Sequence, residues 1–285
     1  MENKRSEVVG CETTESFNPG LLIEALKDSL FGKHIIFKES IGSTNIFLKR
    51  LAQKGAVEGT VVVADEQNAG LGRLGRQWFS KKGENLLFSV LLRPNLPASR
   101  VFVLTMIFAL AGIDAVQGLS GLNVMIKWPN DIYIGQKKLG GILTEFSVRE
   151  GDVQYVVLGM GLNVNWNPEL GNNLLYDASS IYSETKKRIS REMLLCNMLE
   201  RLEIYYQKAD GDMKERDGLF KKWNEKSLVI GRTVAIETGK ERVEGEVEGI
   251  DRDGALILIT AGGQRRKFLC GDVSVKMNFS KQRHL

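Results

Sequence analysis

The sequence predicts an α+β protein, a mixed sheet packed with helices and followed by a small C-terminal SH3-like β-barrel. Two observations carry this. Short apolar, β-branched runs at residues 60–64, 86–92, 122–127 and 153–158 neighbour one another, with helical patterns before and after them rather than in strict βαβ alternation. From Ser227 the character changes to short strands at 232–237, 242–250, 255–260, 264–270 and 273–275, joined by the turns Asp251-Arg252-Asp253-Gly254 and Ala261-Gly262-Gly263. A chain of 285 residues suffices for two domains and a core that needs no disulfides. The expected division is a tail over 1–17, a main domain over 18–226 and the barrel over 227–285.

Element by element, residues 1–17 are polar and aperiodic and are expected to be flexible. Asn18-Pro19 opens a helix whose stripe of Leu21, Leu22, Ala25, Leu26 and Leu30 ends at Gly32. A strand follows at 34–39, and Gly42-Ser43-Thr44-Asn45 opens a second helix that stops at Gly55. The apolar run 101–113 is too short for a bilayer and reads as part of a buried helix over about 99–119. Lys127-Trp128-Pro129-Asn130-Asp131 breaks a strand pair at a proline that cannot continue the ladder, leaving Lys127 and Asp131 beside the turn. Lys138 begins the returning strand next to Gly140 and Gly141, where a ligand or another backbone can approach closely. Gly159-Met160-Gly161-Leu162-Asn163 repeats that opportunity at a strand end. Residues 171–187 are irregular, and amphipathic helices are expected over 190–210 and 213–223.

Composition removes several functions. Cys11, Cys196 and Cys270 are odd in number and form no C-x-x-C pair, so neither a disulfide framework nor a zinc cluster is indicated, and a reducing, cytoplasmic home is expected. The polar N-terminus is no signal peptide. A net charge of +4 on nearly balanced charges is modest for a nucleic-acid binder. With only His34 and His284, catalysis must rest on lysine, arginine, carboxylates and bound ions.

The most informative stretch is residues 65–78, between two strands. Gly70, Gly72 and Gly75 spell G-x-G-x-x-G, but no helix opens at the third glycine and no acidic residue follows about twenty positions on, so the dinucleotide reading fails. What remains is an anion-binding loop whose backbone N–H groups can close on a ligand and whose Arg73 and Arg76 suit phosphate or carboxylate.

Ser43-Thr44-Asn45, Gln67 through Trp78, Lys127 through Asp131 with Lys138-Leu139-Gly140-Gly141, and Gly159 through Asn163 occur in this order, ahead of a barrel ending Gly271-Asp272-Val273-Ser274-Val275-Lys276. The set resembles the biotin protein ligases over about residues 40–276. The resemblance implies a catalytic domain of the class II aminoacyl-tRNA synthetase type, with ATP and Mg²⁺ activating biotin to its adenylate for transfer to a lysine of a carboxylase carrier domain. It implies biotin contacts at Ser43, Thr44, Asn45, Gln67, Gly70, Leu71, Gly72, Arg73 and Lys138, with Arg73 and Lys138 catalytic. ATP and adenylate contacts fall to Arg73, Arg76, Trp78, Lys127, Asp131, Gly159, Gly161 and Asn163, and Asp131 lies near the magnesium. Physically, a ureido group wants short neutral polar side chains, and an acyl-adenylate wants fixed cations in a water-poor site. One position departs from the family's G-R-G-R-x-G: Leu71 stands at the first arginine.

Three rival functions are a lipoate or octanoate transferase-like enzyme, a biotin-sensing repressor, and a binding module without catalysis, which would leave the cations Arg73 and Lys138 idle. Against the second, forty-two residues precede Ser43, fewer than a DNA-binding domain of about sixty residues requires. DNA and membrane binding are not expected, and the chain is expected as a monomer or homodimer.

Overall fold

The computed structural model describes residues 16–167, 177–239, 241–269 and 271–275. Most of the expected flexible tail lies outside them, but Phe17 is buried and stacks on Phe37 at 5.3 Å, so the folded part begins before Asn18.

Seven strands form the main sheet: β1 (Ile35–Lys38), β2 (Val61–Ala64), β3 (Asn85–Leu92), β4 (Val124–Lys127), β5 (Asp131–Ile134), β6 (Lys137–Arg149) and β7 (Asp152–Asn163), in the order β1-β2-β3-β7-β6-β5-β4. The sheet is mixed because β1 and β2 run parallel while the other pairs are antiparallel. The helices are α1 (Pro19–Ala25), α2 (Thr44–Gln53), α3 (Phe102–Ser120), α4 (Ile181–Thr185), α5 (Arg191–Asp210) and α6 (Met213–Lys226). Asn18 caps α1 through Gly20 N–H, as its side chain predicts, and α1 ends at Ala25, short of Gly32. Part of the stretch read as irregular forms α4, where Ser180 and Ser183 make a capping box. Residues 168–176 lie outside the described residues.

Period-two alternation divides the sheet into two unlike faces. Leu86, Phe88, Val90 and Leu92 of β3 and Val156, Leu158, Met160 and Leu162 of β7 join the main core with α3 and α5. Leu91 and Val157 face the other way, packing with Leu48 and Ala52 of α2. α3 is buried along nearly its whole length and spans close to the expected 99–119. By length and composition it could cross a membrane, but its surface is spent on the sheet and on α5 and α6.

The barrel strands are β8 (Thr233–Thr238), β9 (Glu241–Ile250), β10 (Leu256–Ile259), β11 (Arg265–Phe268) and β12 (Asp272–Val275), ordered β11-β10-β9-β8-β12. Every pair among them is antiparallel. The barrel continues the core: Trp128, 1% exposed, donates its indole N–H to Gly254 O at 3.0 Å, and Leu228 N–H donates to Ile126 O at 2.7 Å.

Candidate active site

The sheet face that carries α2 also carries a cleft of about 570 Å³, within the usual size for a small-molecule site. Glycines create it. Gly159 and Gly161 alternate with the core residues of β7 and therefore face the cleft. A Cβ on Gly159 would lie 1.9 Å from Asn45 Oδ1, and one on Gly161 would lie 2.4 Å from the Trp78 ring. Any side chain there would expel the groups that form the floor and wall.

Ser43, Thr44 and Asn45 reach the cleft because α2 starts there. Gln67 Oε1 accepts from both Thr44 N–H (2.7 Å) and Thr44 Oγ1 (3.1 Å), so it caps the helix in place of Ser43, whose hydroxyl makes no capping bond. This fixes the Gln67 amide with its N–H₂ end unspent on Thr44. Behind it, Ser89 lies 2.7 Å from Thr44 Oγ1 and 2.6 Å from Asn45 Oδ1, and Asn45 Nδ2 donates to Leu143 O and Glu145 Oε2. The Asn45 amide is thus consumed within the protein. Ser89, fully buried within the otherwise apolar run 86–92, belongs to this polar floor and was not among the predicted site residues.

The glycine loop, expected as a loop between two strands, folds back on itself as a hairpin and opens no long helix. Gly72 N–H donates to Arg76 O, Trp78 N–H donates to Gly70 O, and a short turn over Arg73–Gly75 places Leu74 at φ 56°. Gly70 lies behind Trp78 rather than on the cleft wall, because a Cβ there would meet Trp78 O at 2.8 Å. Leu71 is 42% exposed on the rim. Arg73 donates to Asn130 Oδ1 at 3.2 Å, while Asn130 Nδ2 donates to Ile142 O. Asn130 therefore ties the loop to the β4–β5 turn.

Lys127 and Asp131 are register partners across that turn. Lys138 reaches them because the β5–β6 register slips between Ile132 and Tyr133, leaving Leu139 unpaired. Its Nζ lies 2.7 Å from Asp131 Oδ1 and 5.8 Å from the centre of the Trp78 ring. The Trp78 indole N–H is buried and has no hydrogen-bond partner among the described residues. Burial lowers the pKa of Lys127; Asp131 opposes the shift and Lys138 adds to it. Arg73, Arg76, Lys127 and Lys138 thus share one cleft whose floor is neutral.

Besides Gly70, a second predicted contact lies outside the cleft. Asn163 is not in the cleft: its Oδ1 accepts from Asn85 and its Nδ2 donates to Ser179 O, both at 2.9 Å. The barrel brings Gly271–Ser274 to the mouth, where Asp272 pairs with Arg76.

The mixed sheet with its glycine-floored, cation-walled cleft falls in the class of biotin/lipoate protein ligases, and the small barrel at its mouth is the part that biotin ligases carry. Residues 37–163 match the biotin/lipoate A/B protein ligase family, and residues 229–276 match the biotin protein ligase C terminal domain. The chain belongs to the biotin protein ligase family. It is 34% identical over 256 residues to the bifunctional ligase/repressor BirA of Bacillus subtilis, spanning 87% of this chain and 78% of that protein. It is 31% identical over 273 residues to a biotin–[acetyl-CoA-carboxylase] ligase of Mycobacterium tuberculosis, spanning 91% of this chain and 97% of the relative. The solved biotin protein ligase from Aquifex aeolicus in complex with biotin and ATP superposes with a TM-score of 0.71 at 29% identity, covering 86% of this chain and 99% of that one.

Proposed function

We propose that the cleft divides its work between a neutral end that holds biotin and a cationic end that handles phosphate. The enzyme is an ATP-dependent, AMP-forming biotin ligase. Biotin's carboxylate is joined to the α-phosphate with loss of pyrophosphate, and a lysine amine of a carrier then displaces AMP. The acceptor is the biotin carboxyl carrier domain of acetyl-CoA carboxylase, in line with the names of relatives from Mycobacterium tuberculosis and Paracoccus denitrificans.

The neutral end comprises Ser43, Thr44, Gln67 and the loop backbone at Leu71 and Gly72, with Gly70 set behind Trp78. A ureido group offers one carbonyl acceptor and two N–H donors. The locked Gln67 amide and the unspent Ser43 hydroxyl supply complementary partners. Leu71 joins this end through its backbone, and Asn45 supports it from below. At the cationic end, Arg73 and Lys138 are assigned to the charge that develops at the α-phosphate, and Arg76 and Lys127 to the outer phosphates. Trp78, with its unpartnered indole N–H, and the bare backbone at Gly159 and Gly161 suit contact with the adenylate. Asn163 is assigned no ligand contact and holds the end of β7.

The described residues contain no group of three or more His, Cys, Asp or Glu able to cage a metal. Asp131, partly open to the cleft, fits instead a magnesium ion brought in by phosphates, which keeps waters and takes few protein ligands. When bound, Mg²⁺ neutralises phosphate charge.

The observation that carries this reading is the convergence of four cations on one cleft floored by neutral polar groups. Mass spectrometry of the protein mixed with biotin, MgATP and a carrier domain tests it. Biotinyl-AMP and a biotinylated carrier are expected, and an unmodified carrier with no adenylate rejects it. DNA binding is not part of the proposal. Sequence-selective gel shifts at sub-micromolar protein would restore the repressor reading.

A further inference from the structure

The glycine loop leaves the sheet at Asp65 and returns at Asn85, and both feet are held by a segment more than a hundred residues downstream. Arg191, the first residue of α5, donates from Nη1 to Asp65 Oδ1 at 2.7 Å and to Asn85 O at 3.3 Å. Its side chain and that of Asp65 are 5% and 7% exposed. Three residues earlier, Arg188 donates to Glu84 Oε1 at 3.2 Å. The connection that carries both arginines is itself anchored to the end of β7, because Ile189 N–H donates to Asn165 Oδ1 and Asn165 Nδ2 donates to Ile189 O, both at 3.0 Å. Asn165 N–H also donates to Glu84 O at 2.8 Å. Neither arginine lines the cleft.

We propose that Arg191 is a positioning residue that fixes both feet of the glycine loop, so that the loop closes over the adenylate at one set angle and keeps it from water. The inference rests on the ligase reading above. A buried guanidinium with acceptors on both feet couples them rigidly, whereas the glycine-rich span between them carries little stiffness of its own. Without Arg191 the Asp65 carboxylate would be left buried and alone, and the feet would separate to hydrate it. The hinge would loosen although Arg73 and Lys138 remained in place. Arg188 acts in the same way on one foot only, and its 41% exposure makes its loss milder.

The test is the rate at which preformed biotinyl-AMP leaves the enzyme, measured by a chase with excess unlabelled biotin. Arg191→Gln is expected to release the adenylate at least tenfold faster, Arg191→Lys less so, and Arg188→Gln a few-fold faster. Lys222→Met serves as a stability control. It removes the Lys222–Asp114 and Lys222–Tyr205 contacts that join α6 to α3 and α5, away from the loop. It is expected to lower Tm with release unchanged. Wild-type release from a folded Arg191→Gln, or an equal acceleration in Lys222→Met, overturns the proposal. If Arg191→Gln does not fold, Arg188→Gln decides, and unchanged release there overturns it. A wild type that forms no biotinyl-AMP rejects the ligase reading and this inference together, which separates the two failures.

Discussion

Arg76 of the glycine loop and Asp272 of the barrel hold each other across the mouth of the cleft, 196 residues apart in sequence. The side chains are 58% and 37% exposed, so their attraction is screened and is worth at most about 1 kcal/mol. An incoming phosphate competes with Asp272 for the same guanidinium. Asp272→Asn is therefore expected to lower the KM for ATP by up to about fivefold, and Arg76→Ala to raise it. Steady-state pyrophosphate release measures both, and shifts in the same direction would reject the competition.

Lys138→Ala should slow adenylate formation far more than it weakens biotin binding. The Lys138 ammonium is fixed 2.7 Å from Asp131, so its charge is already in place when the pentavalent phosphorus forms. Loss of one such donor costs about 3–4 kcal/mol in the transition state, or roughly a hundredfold to a thousandfold in rate. Rapid-quench measurement of biotinyl-AMP checks it, with biotin affinity from calorimetry as the comparison.

Lys127→Met should trade function for stability. Burial holds the pKa of Lys127 below its ordinary 10.5, so at neutral pH the folded state bears the cost of keeping the residue charged. That cost fades as pH rises through the depressed pKa toward 10.5. The variant is expected to melt a few degrees higher at pH 7, with the gain shrinking at pH 10, while its KM for ATP rises. Calorimetry across pH reads the first effect and kinetics the second.

Cys196 should be nearly inert. It lies on α5, and its thiol is pushed up to about 11, first by burial and then by Glu200 and Glu192. Alkylation at pH 7.5 is expected to be about a hundredfold slower than at an ordinary thiol, and to climb with pH until about 11. Peptide mapping after timed iodoacetamide treatment follows it.

Sequence reading reached the site where local chemistry defined it. Gly159, Gly161, Arg73 and Lys138 signal close approach and charge by residue type and by position at strand ends, and the structure gathers them in one cleft. It missed what depends on distant partners. Asn45 and Asn163 look like ligand amides, yet Leu143, Glu145, Asn85 and Ser179 consume them. Ser89 interrupts an apolar strand, and that irregularity was the one local sign of the polar floor. Asp272 could not be placed at the cleft, because strand patterns give the order of a barrel and not its docking.

α3 has a consequence during synthesis. Its apolar surface is covered by α5, yet α3 ends at Ser120 and α5 begins only at Arg191. A ribosome takes several seconds, at roughly 5–20 residues per second, to cross that interval. Throughout it the nascent chain carries a helix greasy enough for a bilayer, with the sheet incomplete until β7 emerges. Chaperone capture of this chain should therefore concentrate on intermediates stalled between Ser120 and Arg191, and release should coincide with the arrival of α5.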